Sequence, residues 1–113
     1  MIEDTIREVV AFRDTRDWSQ FHSPRNLASS IVIEAAELLE VFQWSDDSSL
    51  KTDVVDRRPQ IEQELADVTI YCLLMAHDLG IDMEDAIRCK LTENARKYPV
   101  DKSKGNRAKY TSL

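Results

Sequence analysis

Residues 23–44, SPRNLASSIVIEAAELLEVFQW, decide the fold. Ser23 followed by Pro24 is a helix start, because the hydroxyl can accept from a free N–H of the first turn and a proline at the first helical position leaves no N–H unpaired. Leu27, Ile31, Ala35, Leu38 and Phe42 then recur at spacings of four and three, the period of one helix face. The expected helix runs over residues 24–44. At about 100° per residue Glu34 borders that stripe, which is centred about 60° to one side of it, and Glu37 lies about 60° to the other side. Glu40 points further out.

The pattern returns after Pro59. Ile61, Leu65, Val68, Cys72, Met75 and Leu79 form a second stripe ending at Gly80, a residue suited to a left-handed C-terminal stop. Here Glu64 sits at the stripe's edge and Asp67 one step outside it, so the geometry of the first long helix is repeated. Ile70, Leu73 and Leu74 add apolar side chains on the remaining faces, which predicts cover on more than one side and, in a chain this small, a subunit interface.

Outward from these two elements, a first helix starts near Glu3 or Asp4, uses Ile6, Val9, Val10 and Arg13, and breaks around Thr15 to Asp17. Trp18 to His22 is irregular, and residues 45–58 are polar, acidic and aperiodic, a loop with room for a short turn of helix. Asp82 with Asp85 resembles a capping box and opens a last helix that runs to about Tyr98, before Pro99. With two Gly and three Pro in 113 residues, the reading is an all-α, four-helix bundle: one domain over 1–113, with 101–113 as a basic C-terminal tail.

Bulk properties remove several classes of function. The acidic start and the lack of a long apolar run argue against a signal peptide or a membrane span, so a soluble cytoplasmic protein is expected. Cys72 and Cys89 fit no CxxC or zinc spacing and receive no role. Residues 1–87 carry seven Lys/Arg against nineteen Asp/Glu, whereas residues 88–113 carry eight against two. An acidic body argues against nucleic acid held along a basic groove. A basic terminus beside carboxylates suits a small polyphosphate bridged by a cation, and a solvated tail explains the charge equally well.

The carboxylates themselves carry the chemistry. Glu34/Glu37 and Glu64/Asp67 are spaced three apart, so each pair presents its oxygens to one spot on its helix. Antiparallel packing of the two stripes brings both pairs to one edge of the interface. Four acidic groups held together repel unless a cation neutralises them, and an all-oxygen set suits Mg²⁺, with Mn²⁺ possible, better than zinc. A di-iron bundle would supply Glu-x-x-His motifs, which neither His22 nor His77 completes. In the last helix the inward face begun by Met83, Ala86 and Ile87 continues as Lys90, Asn94 and Lys97, the mark of a helix lining a cavity or of a frayed last turn. Trp18 and Trp44 flank the 24–44 helix, either as ordinary packing residues or as a stacking slot for a base.

The runs IEAAELLEVFQW (33–44), QELADVTIY (63–71) and KLTENARKYP (90–99), with WSQFHSPRNL (18–27) before them and AKYTSL (108–113) after, resemble the MazG-like all-α nucleoside triphosphate pyrophosphohydrolases, especially their dCTP pyrophosphatase branch. The resemblance covers nearly the whole chain. It implies that Glu34, Glu37, Glu64 and Asp67 are metal ligands, and that Lys90, Asn94, Lys97 and Tyr98 form the phosphate-contacting K-x-x-x-N-x-x-[RK]-Y-P element. Trp18, His22 and Trp44 match residues around the base, and Tyr71 matches a tyrosine near the sugar. Two departures stand out: Ile33 replaces a Glu that many relatives carry before the first ligand, and Val9 stands where some have a histidine.

The implied reaction is Mg²⁺-dependent hydrolysis of dCTP or a modified dCTP to the monophosphate and pyrophosphate, a house-cleaning of the nucleotide pool, with Glu37 or Glu34 taking the water's proton. The resemblance also implies a homo-oligomer, commonly a tetramer built from dimers, while charge and hydropathy predict no nucleic-acid or membrane partner. The rival readings are a dUTP or broad-specificity enzyme of the same fold and a non-catalytic helical module whose acidic face binds a basic partner.

Overall fold

A computed structural model describes residues 2–113 and contains no strand among them. Six helices follow one another: α1 (Ile2–Asp14), α2 (Pro24–Val41), α3 (Leu50–Asp56), α4 (Arg58–Leu79), α5 (Met83–Lys97) and α6 (Val100–Ser103), with 3₁₀ turns at Ser19–Phe21 and Tyr110–Ser112. The long helices are the expected four. The polar 45–58 segment holds the short α3, α2 stops at Val41 rather than Trp44, and the chain divides into two compact units, one ending at Gly80 and the other Ile81–Leu113.

Local chemistry explains the boundaries. Glu3 and Asp4 in the first turn of α1 and Arg13 in its last complement the helix dipole. Asp17 then turns the chain through a left-handed conformation, φ 52°, which short polar side chains tolerate. Ser23 Oγ accepts from Asn26 N–H at 3.2 Å, and the Asn26 amide donates back to Phe21 O at 2.9 Å, fastening the 3₁₀ turn to the start of α2. Gly80, at φ 67°, closes α4. Asp82 caps α5 by accepting from Asp85 N–H at 3.1 Å.

In the first unit α2 packs chiefly on α4, and α1 and α3 also pack on α4. Arg57, at the threshold of α4, donates to Val41 O at 2.6 Å, the last residue of α2. This bond satisfies a helix-end carbonyl and makes α2 and α4 antiparallel neighbours with a set axial register. Glu34 lies seven residues before Val41 and Glu64 seven after Arg57, each about 10 Å along its helix, so the two acidic pairs come level.

The buried side chains of this unit are Leu27, Leu73, Leu74, Ala76 and Arg13. Two expectations change here. Ala35, Leu65 and Leu79, placed on the inward stripes, are exposed, whereas Glu34, Glu37, Glu64 and Asp67 are half-buried. Both helices are therefore rotated toward their carboxylates. Leu73 and Leu74, counted toward an external interface, are consumed within the chain itself.

Arg13 is 4% exposed, and its charge is matched by a two-pronged pair to Asp78, with Nη1 to Oδ2 at 2.7 Å and Nη2 to Oδ1 at 2.8 Å. Asp14 accepts from its Nε at 3.2 Å. The Asp78 carboxyl is held below its usual range by this guanidinium. The pair locks the end of α1 to the end of α4, and a buried charge is tolerable only with such a partner.

Candidate active site

The register of α2 and α4 gathers Glu34, Glu37, Glu64 and Asp67 so that one carboxylate oxygen from each lies within 4.8 Å of all the others. Glu34 Oε2 and Glu64 Oε2 are buried without a hydrogen-bond partner. An orphaned acceptor of this kind is costly in a folded chain. Burial, then the hydrogen bond and charge of Glu37, then Asp67 and Glu64 push the Glu34 carboxyl up to about 7 from its usual 4.5. Glu64 is raised as well, first by burial and then by Glu37. Two unsatisfied buried oxygens, four converging carboxylates and no neutralising Lys or Arg in the cluster fit a hard divalent cation such as Mg²⁺ or Mn²⁺.

Beside the quartet lies a cavity of about 410 Å³, lined by Glu8, Val9, Phe12 and Arg13 of α1, Trp18 and His22 of the irregular turn, and Asp67, Ile70, Tyr71 and Leu74 of α4. The volume suits a small ligand. Asp67 belongs to both the quartet and the cavity wall, so whatever a cation would hold at the carboxylates continues into this space. The wall is aromatic: Phe12 and Trp18 meet edge to face at 5.9 Å and His22 and Tyr71 at 6.2 Å, while the Arg16 guanidinium stacks on Phe12 at 3.6 Å. His22 Nδ1 is buried and unpartnered. Burial first, and the Arg13 charge second, keep the imidazole below its usual value and so neutral at pH 7.

Of the residues singled out in the sequence, the first unit thus brings together the four carboxylates, and beside them Trp18, His22 and Tyr71. Trp44 is not among the cavity residues and stands 83% exposed in the turn after α2. In the second unit, Lys90, Asn94 and Lys97 share one face of α5, where Glu93 pairs with Lys97 at 3.1 Å and more loosely with Lys90 at 3.7 Å. Lys97 also lies over the Tyr110 ring at 4.7 Å, and Tyr98 meets Tyr110 edge to face at 5.9 Å. Glu8 and Phe12 are cavity residues that the sequence motifs do not mark, while Ile70 and Leu74 stand out in the sequence only as apolar cover. The signal was the spacing of 8, 9, 12 and 13, one face of a helix.

Comparison with known proteins adds a lineage to this geometry. The MazG-like family profile matches residues 29–113. The chain is 40% identical to dCTP pyrophosphatase 1 of Bos taurus, over 99% of this chain and 68% of that protein, and 37% identical to the Homo sapiens dCTP pyrophosphatase 1, over 99% and 67%. Among solved structures it is similar to a pyrophosphatase from Archaeoglobus fulgidus, with a TM-score of 0.83 and 40% identity over 87% of this chain and 92% of that one.

Proposed function

The chain belongs to the MazG-like family, and from that premise we propose that it hydrolyses dCTP or a modified dCTP to the monophosphate and pyrophosphate. The carrying observation is the double membership of Asp67, in the carboxylate quartet and in the aromatic cavity wall. A nucleoside triphosphate has the same two-part form: a polyanion that needs a cation and a flat base that needs a slot.

In this reading Glu34, Glu37, Glu64 and Asp67 hold Mg²⁺, which when bound offsets the charge that builds on the phosphates. Glu34 or Glu37 accepts the proton of a water aligned with the α-phosphorus, and the water oxygen bonds to that phosphorus as its bond to the bridging oxygen breaks and pyrophosphate leaves. Trp18 and Tyr71 flank base and sugar, with His22 beside them. By the family motif, Lys90, Asn94, Lys97 and Tyr98 are phosphate-contacting residues, the two lysines now paired with Glu93. Support for the base slot comes from the ring geometry, and support for the lysine role from the family motif over 90–99.

We also infer a homo-oligomer, a tetramer of two dimers, acting in the cytoplasm. Val32, Ile33 and Leu39 of α2 and Leu65 and Leu79 of α4 are each at least half exposed, and Trp44 is more so. An apolar display this broad favours burial against another copy. No helix among the described residues is long and apolar enough to cross a membrane.

Incubation with each deoxynucleoside triphosphate and Mg²⁺, followed by separation of monophosphate and pyrophosphate from diphosphate and orthophosphate, tests the proposal. Orthophosphate release alone refutes the cleavage position, and preferential turnover of dUTP refutes the substrate.

A further inference from the structure

Among the described residues, Glu8 and Asp67 are the carboxylates on the cavity wall. Glu8 has no hydrogen bond or ion pair to a described residue, and the arginines at 7, 13 and 16 are engaged elsewhere. Arg7 pairs with Asp4, Arg13 is committed to Asp78 and Asp14, and Arg16 donates to Phe12 O and stacks on the Phe12 ring. Glu8 precedes Phe12 by one helical turn, so the two share one face of α1, and both line the cavity.

An ionised carboxylate only accepts hydrogen bonds. Facing the edge of a stacked pyrimidine, it attracts a 4-amino group, which donates, and repels a 4-oxo group, which presents lone pairs. Val9, its neighbour on the wall, is apolar and cannot compensate for a mismatch. His22 Nδ1, a buried and unpartnered atom of a cavity residue, can either donate or accept as its tautomer changes, so a neutral imidazole does not discriminate by itself.

We propose that Glu8 is the specificity-determining residue of the base slot, accepting a hydrogen bond from the exocyclic amine of an aminopyrimidine and excluding 4-oxo pyrimidines. This rests on the reading of the cavity as the base slot. The contact forms only with substrate seated, when the ring shields the carboxylate from water. Loss of a hydrogen bond to a charged group then changes discrimination by about tenfold or more.

The test measures kcat/KM for dCTP and dUTP in the full chain and in Glu8→Gln and Glu8→Leu. The exposed position of Glu8 lets both variants fold, which circular dichroism and Tm verify. A Gln amide can turn either its oxygen or its nitrogen to the base, so Glu8→Gln should lower the dCTP/dUTP preference at least tenfold, mainly through KM, and Glu8→Leu should lower it further. An unchanged ratio in both variants overturns the proposal. If the wild-type chain hydrolyses neither nucleotide, the preceding functional reading fails. Glu8 is then judged by the quenching of tryptophan fluorescence with dCMP and dUMP. Loss of a dCMP preference in Glu8→Gln supports its role, and equal affinities in the wild type overturn it.

Discussion

Replacing Glu34 by Gln should stabilise the chain in the absence of divalent cations and destabilise it, relative to wild type, in their presence. The native fold holds the Glu34 carboxyl at about 7, against its usual 4.5, so the native state binds a proton more tightly than the unfolded chain. Stability of the wild type therefore falls as pH rises from about 4.5 to about 7. At about 1.4 kcal/mol per tenfold in proton affinity, the ceiling of the loss is about 3 kcal/mol. Water and counter-ions reach these half-buried groups and reduce it to about 1 kcal/mol. For a chain of 113 residues that is a Tm difference of about 4 °C. Thermal unfolding in EDTA should show Glu34→Gln about 4 °C above wild type at pH 7.5 and level with it at pH 5, where the wild-type carboxyl already carries its proton. Excess Mg²⁺ at pH 7.5 should reverse the order, because only an intact quartet gains binding energy on folding. A variant less stable than wild type in EDTA, or a difference that is the same at both pH values, would refute the argument that repulsion and burial at the quartet weaken the empty fold.

Glu64→Gln should lower turnover of dCTP by at least 100-fold while leaving helicity unchanged, read by pyrophosphate release and circular dichroism; near-normal turnover would remove Glu64 from the reaction. Saturating Mg²⁺, at 100 times its dissociation constant, should stabilise the wild type by about 2.7 kcal/mol, measured by urea unfolding at pH 7.5. Asp78→Asn should destabilise the chain by about 2 kcal/mol through the stranded Arg13 charge, less than for a fully buried pair because Asp78 is partly exposed. The wild-type contribution of this pair, present at neutral pH, should fade in acid as Asp78 is protonated below the usual carboxylate range. Trp18→Ala should raise KM for the nucleotide by about tenfold, the loss of one stacking face, with a smaller effect on kcat.

What could be read from the sequence was local. Ser23 with Pro24, Gly80 and Asp82 each mark a boundary because the side chain or its absence acts within one turn, and the structure has caps at all three. Spacing also found the quartet, since both pairs lie on helices whose stripes must face each other. The rotation of those helices was less legible. A stripe drawn through apolar residues places Ala35, Leu65 and Leu79 inward, yet the fold turns the acidic pairs toward the interface and leaves these three exposed. The sequence period cannot weigh a functional carboxylate against a leucine. The Arg13–Asp78 pair joins residues 65 apart, a distance over which no periodicity speaks. The cavity likewise depends on how α1 lies on α4, which neither helix encodes alone.

The Arg57 bond to Val41 O separates the alignment of α2 and α4 from the segment that connects them. Arg57, though remote from the carboxylates, therefore bears on their geometry through this alignment. A slip of one helical turn, about 5.4 Å, would part Glu34 from Glu64 without altering either. Variants at Arg57 should thus be misread in genetic screens as defects of metal binding, though the lesion is a lost alignment peg.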